Sequence, residues 1–138
     1  MKNGRPMSRS WILPILVLTV FTAPVQGQQR WLPKAGYGLM FHYEVFKNHS
    51  AESYNQAIDS FNVVQFADSV KSTGAGYIIF AVGQHWGKYC APNSAYEKLL
   101  GVENGVWTSR RDLVMEIGTE LAKRDIKLII YMTARAPM

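Results

Sequence analysis

The run YIIFAVGQHWGKYC, residues 77–90, decides the fold. Tyr77 to Val82 are apolar without polar alternation, and Ile78, Ile79 and Val82 supply β-branched density. Such a run marks a parallel strand whose two faces are both covered. Its end is different in kind: Gly83 leads into Gln84, His85, Trp86, Gly87 and Lys88, an amide, an imidazole, an indole and an ammonium in quick succession. Strands end in chemistry where the loops beyond them build a site.

Working outward, Gly36 to Tyr43 (GYGLMFHY) is expected to be a first strand and Lys127 to Thr133 (KLIIYMT) a third. Residues 44–61 form a polar connection with room for one helical turn. Asn62 is suited to cap a helix running to Thr73, whose stripe is Val63, Phe66, Ala67 and Val70; Gly74 and Gly76 end it. Residues 83–108 are expected to be a long loop, and loops of that length are usually functional. Ser109-Arg110-Arg111-Asp112 fits a capping box, opening a helix with Leu113, Val114, Ile117 and Leu121 inward and Lys123-Arg124 at its end.

Strands alternating with helices predict an α/β fold with a parallel sheet. A doubly wound nucleotide-binding sheet would show a glycine-rich turn after its first strand; here that strand runs into His42-Tyr43-Glu44-Val45. With polar aromatic residues at both strand ends, the pattern fits the first three βα units of a (β/α)8 TIM-like barrel. A barrel takes about 250 residues, so 138 residues make an incomplete one.

The formal net charge of +5 is unevenly placed. Lys2, Arg5 and Arg9 precede the uncharged run Trp11 to Phe21, and Thr22-Ala23-Pro24-Val25-Gln26-Gly27 follows. This is the pattern of a secretory signal peptide over residues 1–27, leaving a domain over residues 28–138. The run is too short for a membrane span, so no membrane partner is expected after cleavage. Removing those three cations from 15 leaves 12 against 10 acidic residues, a net charge of +2. No basic run interleaved with aromatics remains, which excludes nucleic acid as a partner. The lone Cys90 excludes an intrachain disulfide and a thiolate metal cluster. Neither cofactor nor metal is expected.

Four stretches in order resemble the α-L-fucosidases of glycoside hydrolase family 29. Lys34-Ala35-Gly36-Tyr37-Gly38 leading to Phe41-His42-Tyr43-Glu44 is similar to that family's K-F-G and F-x-H-W-G. Gln84-His85-Trp86-Gly87-Lys88-Tyr89-Cys90, then Pro92-Asn93-Ser94, resembles H-H-D-G-F-C followed by W-P-S. Arg111-Asp112-Leu113-Val114 matches R-D-L-V, and Lys123 to Thr133 resembles K-R-G-L-K-F-G-L-Y-Y-S. Departures are Tyr43-Glu44 for Trp-Gly, Gln84 for a His, Trp86 for the Asp and Ala91 for the Trp.

The resemblance implies a retaining glycosidase with a barrel catalytic domain, acting on a fucosylated glycan or related carbohydrate, and the signal peptide leads to a secreted or periplasmic protein. It places substrate contacts at His42, Gln84, His85 and Trp86. It puts the nucleophile on a fourth strand and the acid/base later still, so no catalytic residue is expected within these residues. Imidazole and amide groups can meet sugar hydroxyls as donors and acceptors, and an indole can cover an apolar patch of the ring. The plainer alternatives are a strand-end His42 bonded to a loop carbonyl, a packing Trp86, a solvated Glu44, an exposed His49, a core Tyr131 and Arg111 and Asp112 serving only as caps. Against the glycosidase stand a non-catalytic carbohydrate-binding relative, which the four departures favour, and a small independent secreted domain.

Overall fold

In the computed structural model, residues 31–43, 50–83 and 88–132 are described. Three five-residue strands, β1 (Gly38–His42), β2 (Tyr77–Ala81) and β3 (Lys127–Tyr131), form one parallel sheet in the order β1-β2-β3. Their register sets Gly38, Tyr77 and Lys127 in one row and His42, Ala81 and Tyr131 in the last. The strands lie where the apolar runs predicted, one or two residues shorter at the ends. Thr133 lies outside the described residues.

Four α-helices occur among the described residues: α1 (Ala51–Asp59), α2 (Val63–Thr73), α3 (Ser94–Leu100) and α4 (Leu113–Ala122). Asn62 caps α2 as expected, its side chain accepting from the Gln65 N–H at 3.0 Å, and Gly74 closes it in the left-handed region at φ 82°. Three expectations are corrected. The connection 44–61 holds a nine-residue helix, not one turn, because Ser50 accepts from the Ser53 N–H and opens α1. The loop 83–108 contains α3, capped by Asn93 and ended by Gly101 at φ 69°. The cap of α4 is Asp112, accepting from the Met115 N–H at 2.9 Å, whereas the Ser109 hydroxyl donates to the Arg111 carbonyl.

Alternation along the strands sorts their side chains onto two faces. On one, Leu39, Phe41, Ile78, Phe80 and Leu128 pack beneath Val63, Phe66, Ala67 and Val70 of α2 and Leu113, Ile117 and Leu121 of α4. An aromatic chain runs through this layer, with the Phe66 ring 5.0 Å from Phe41, 5.5 Å from Phe61 and 6.3 Å from Phe80. Each fully buried side chain of this size contributes about 1.5–3 kcal/mol. Arg124, at the end of α4, ties the helices together by donating to Asp68 of α2 at 2.6 Å and to Glu120 at 2.9 Å.

The other face carries Met40, Ile79 and Ile129, and Met40 is 48% exposed. The expectation that β2 is covered on both sides is met on the first face, and on the second no covering helix occurs among the described residues. The strand is apolar on both. At the lower end of that face the Tyr77 ring lies over Gly38, where an added Cβ would sit 2.2 Å from Cε2, and Trp31 meets the same ring edge-on at 5.8 Å. Among the described residues no helix is long and apolar enough to cross a membrane. The proposed signal peptide lies outside the described residues.

Candidate functional site

The last register row, His42–Ala81–Tyr131, stands at the C-terminal ends of the three strands and faces the side that no helix of the described residues covers. The outer two strands are about 9.6 Å apart, twice the strand spacing, yet their end residues meet. The His42 and Tyr131 rings approach edge-to-face, centroids 6.4 Å apart at 65°. Ala81 makes this possible: its methyl group, fully buried, leaves room above the middle strand for both rings. Tyr131 is 40% exposed, so it is not the core residue it could have been. His42 is exposed at the end of β1.

Gln84, His85 and Trp86 lie outside the described residues, as do Glu44 and His49. The residues flanking 84–87 are tightly placed. The Cys90 N–H donates to the Val82 carbonyl at 2.8 Å. A Cβ on Gly83 would lie 2.8 Å from the Tyr89 ring and 3.1 Å from the Lys88 carbonyl, so only glycine fits where the chain leaves β2. The Lys88 ammonium turns back into its own loop, donating to the Val106 carbonyl and lying 4.8 Å over the Trp107 ring. Burial lowers its pKa, and Glu97 opposes that shift. Cys90 is fully buried, and burial pushes its thiol up to about 12, which leaves it inert near neutral pH.

Two buried polar side chains, neither apparent from sequence, hold this rim together. Asn55 of α1 donates to the carbonyls of Ala51 at 2.8 Å and Gly105 at 3.1 Å, and accepts from the Arg110 N–H at 2.7 Å. Glu97 of α3 accepts from the N–H groups of Gly105, Trp107 and Thr108 at 2.9–3.0 Å. Burial would raise the Glu97 carboxyl, but these N–H donors together hold it below the usual carboxylate range. The Tyr54 hydroxyl donates to the Lys88 carbonyl at 3.0 Å, so the connections after β1 and β2 are bonded to each other. Arg111 serves as a brace: its Nη1 donates to the carbonyls of Ile58, Asp59 and Phe61 at the end of α1, and its other nitrogens grip Glu116. That fits the chemistry-free role expected of Arg111, although it closes α1 and not α4.

Glu97 looks in the sequence like any solvated helix acid. The caps Asn93 and Gly101 could have revealed the helix, but not that its acid turns inward. No group of three His, Cys, Asp or Glu side chains able to hold a metal occurs among the described residues. The described rim presents an imidazole and a phenol side by side, groups able to meet ligand hydroxyls as donors and acceptors.

A family model described as alpha-L-fucosidase matches residues 20–136. Among solved structures, the chain is similar to the Thermotoga maritima alpha-fucosidase in complex with fucose, with 16% identity and a TM-score of 0.55 over 75% of this chain and 34% of that one. A second structure, named alpha-L-fucosidase, shares 14% identity at a TM-score of 0.55 with the same coverage. A GH29 alpha-L-fucosidase from Bacteroides thetaiotaomicron shares 16% identity at a TM-score of 0.47, over 70% of this chain and 27% of that one. No curated protein matches the chain. The chain spans about a third of the length of the first two structures. At these identities the structural likeness speaks for the fold alone, and the family match, which covers most of the sequence, speaks for descent: the chain belongs to the alpha-L-fucosidase family.

Proposed function

We propose that this chain carries the N-terminal sugar-contact strands of a retaining glycoside hydrolase that cleaves terminal α-L-fucosyl or related glycosidic bonds. The family match over residues 20–136 carries the proposal. In it, β1 to β3 are the first staves of a (β/α)8 barrel, and the uncovered face with Met40, Ile79 and Ile129 is the barrel interior. Confinement of α2 and α4 to the opposite face supports this, since barrel helices form an outer ring. His42 then stands at the rim where barrel enzymes place their sites. It grips the sugar together with Gln84, His85 and Trp86.

A retaining mechanism needs two carboxyl groups about 5 Å apart. Most carboxylates of the described residues are committed elsewhere: Glu97 to backbone N–H groups, Asp112 to a helix cap, and Glu52, Asp68, Glu116 and Glu120 to arginines. The nucleophile and acid/base are accordingly assigned to further strands of a longer protein, and these 138 residues alone should be inactive. Residues 1–27 direct the protein out of the cytoplasm. The second reading, a carbohydrate-binding relative without catalysis, is favoured by Tyr43. It stands where the family has Trp, and it packs inward against Phe61 at 5.7 Å and Phe80 at 6.5 Å.

The test is hydrolysis of 4-nitrophenyl α-L-fucoside, and titration with fucose, using the protein that includes the downstream reading frame. Hydrolysis is expected. His42→Ala should weaken fucose binding by about 0.5–1.5 kcal/mol with Tm unchanged, because the side chain is exposed. Binding without hydrolysis would select the second reading, and neither binding nor hydrolysis would overturn both.

A further inference from the structure

Glu97 is 1% exposed, and every hydrogen bond described for its carboxylate comes from the β2–α4 connection. Oε1 accepts from Gly105 at 2.9 Å and from Trp107 and Thr108 at 3.0 Å, and Oε2 accepts from Gly105 at 3.0 Å. Three N–H groups within four residues thus converge on one carboxylate. Asn104-Gly105 favours a turn, and Gly105 adopts φ 90°. A turn preference does not aim three donors at one point, and without an anion those donors would be buried and unsatisfied.

The next layer of chain is laid on this arc. The Tyr89 N–H donates to Trp107 O at 3.0 Å and the Ser109 N–H to Tyr89 O at 2.8 Å, a parallel bridge between Tyr89 and Thr108. Lys88 reaches the Val106 carbonyl of the same arc, and Cys90 returns to Val82 at the end of β2. Tyr89 in turn fills the space that a side chain on Gly83 would occupy.

We propose that Glu97 is a positioning residue of the rim: its carboxylate shapes the Gly105–Thr108 arc, the arc holds Lys88–Cys90, and these set where the chain leaves and rejoins the sheet beside His42. The functional consequence rests on the glycosidase proposal; the positioning itself does not. In Glu97→Gln one oxygen becomes an NH2 group. Oε1 and Oε2 both accept from Gly105, so with the amide turned either way a donor faces the Gly105 N–H.

Amide hydrogen exchange on wild type and Glu97→Gln tests the assignment. Protection should fall at Gly105, Trp107, Thr108, Tyr89 and Cys90 and stay unchanged at Ile78 and Phe80. In the same protein, fucose Kd should rise roughly tenfold well below Tm. If Glu97→Gln does not fold, Glu97→Asp, which keeps the charge but draws the oxygens back, should loosen the same amides by less. Unchanged protection at Tyr89 and Cys90 overturns the proposal, as does a uniform loss that includes β2. If wild type binds no fucose while the amides respond as expected, the glycosidase proposal fails and the positioning assignment stands.

Discussion

The two faces of this sheet are built from similar residues and treated differently. Beneath α2 and α4, Ile78 and Phe80 are at most 2% exposed. Across the sheet, Met40 is half exposed, and Ile79 and Ile129 are covered by no helix of the described residues. Apolar composition is thus not the same as burial. A continuous apolar run says that both faces of a strand avoid water, and only the packing partners show which face has been covered.

The largest test of that contrast compares Phe80→Ala with Met40→Ala. Phe80 sits in a filled aromatic layer, so its truncation should cost about 3–5 kcal/mol; in the 138-residue chain by itself, where the second face is open, Met40→Ala should cost under about 1 kcal/mol. Urea unfolding midpoints measure both. Equal losses would mean that the open face is covered as firmly as the helical one.

A smaller, pH-dependent effect separates the rim from both faces. The folded Glu97 carboxyl lies below its ordinary value of 4.5, so the stability it contributes is present above that value. It is lost as pH falls through the depressed folded value. Glu97→Gln should lack this acid limb. Unfolding midpoints of the two proteins that run parallel from about pH 6 to about pH 3 would contradict the carboxylate's structural part.

The smallest effect belongs to the outer surface of the rim. The Arg110–Glu52 ion pair joins the two connections at 3.1 Å, but both side chains are 61% exposed. Arg110→Ala should change stability by less than about 1 kcal/mol, and in high salt by nothing measurable. A larger loss would shift the joining of the two connections from Asn55 to this pair.

Each strand was legible as a short apolar run bounded by glycine or charge, and α2 by Asn62 and Gly74, because strand burial and helix capping depend on residues close in sequence. The N-terminus of α4 was misplaced by three residues because Ser109 and Asp112 both suit a cap. The choice fell to Asp112 once the arc drew Ser109 into the interior, 1% exposed. Of the candidate site, His42 at the end of β1 was readable from the polar break after Phe41. Its meeting with Tyr131 was not, since it depends on Ala81 being small in a strand 39 residues away in sequence.

The sequence by itself determined the parallel α/β order and the polar ends of its strands, since period and punctuation are local properties of the chain. Only the tertiary structure decided which apolar face the helices cover, that Lys88 turns inward, and that Asn55 and Glu97 are buried. A polar side chain enters the interior when distant backbone groups converge to satisfy it, and Gly105 lies 50 residues from Asn55. That convergence leaves no pattern in the neighbouring residues.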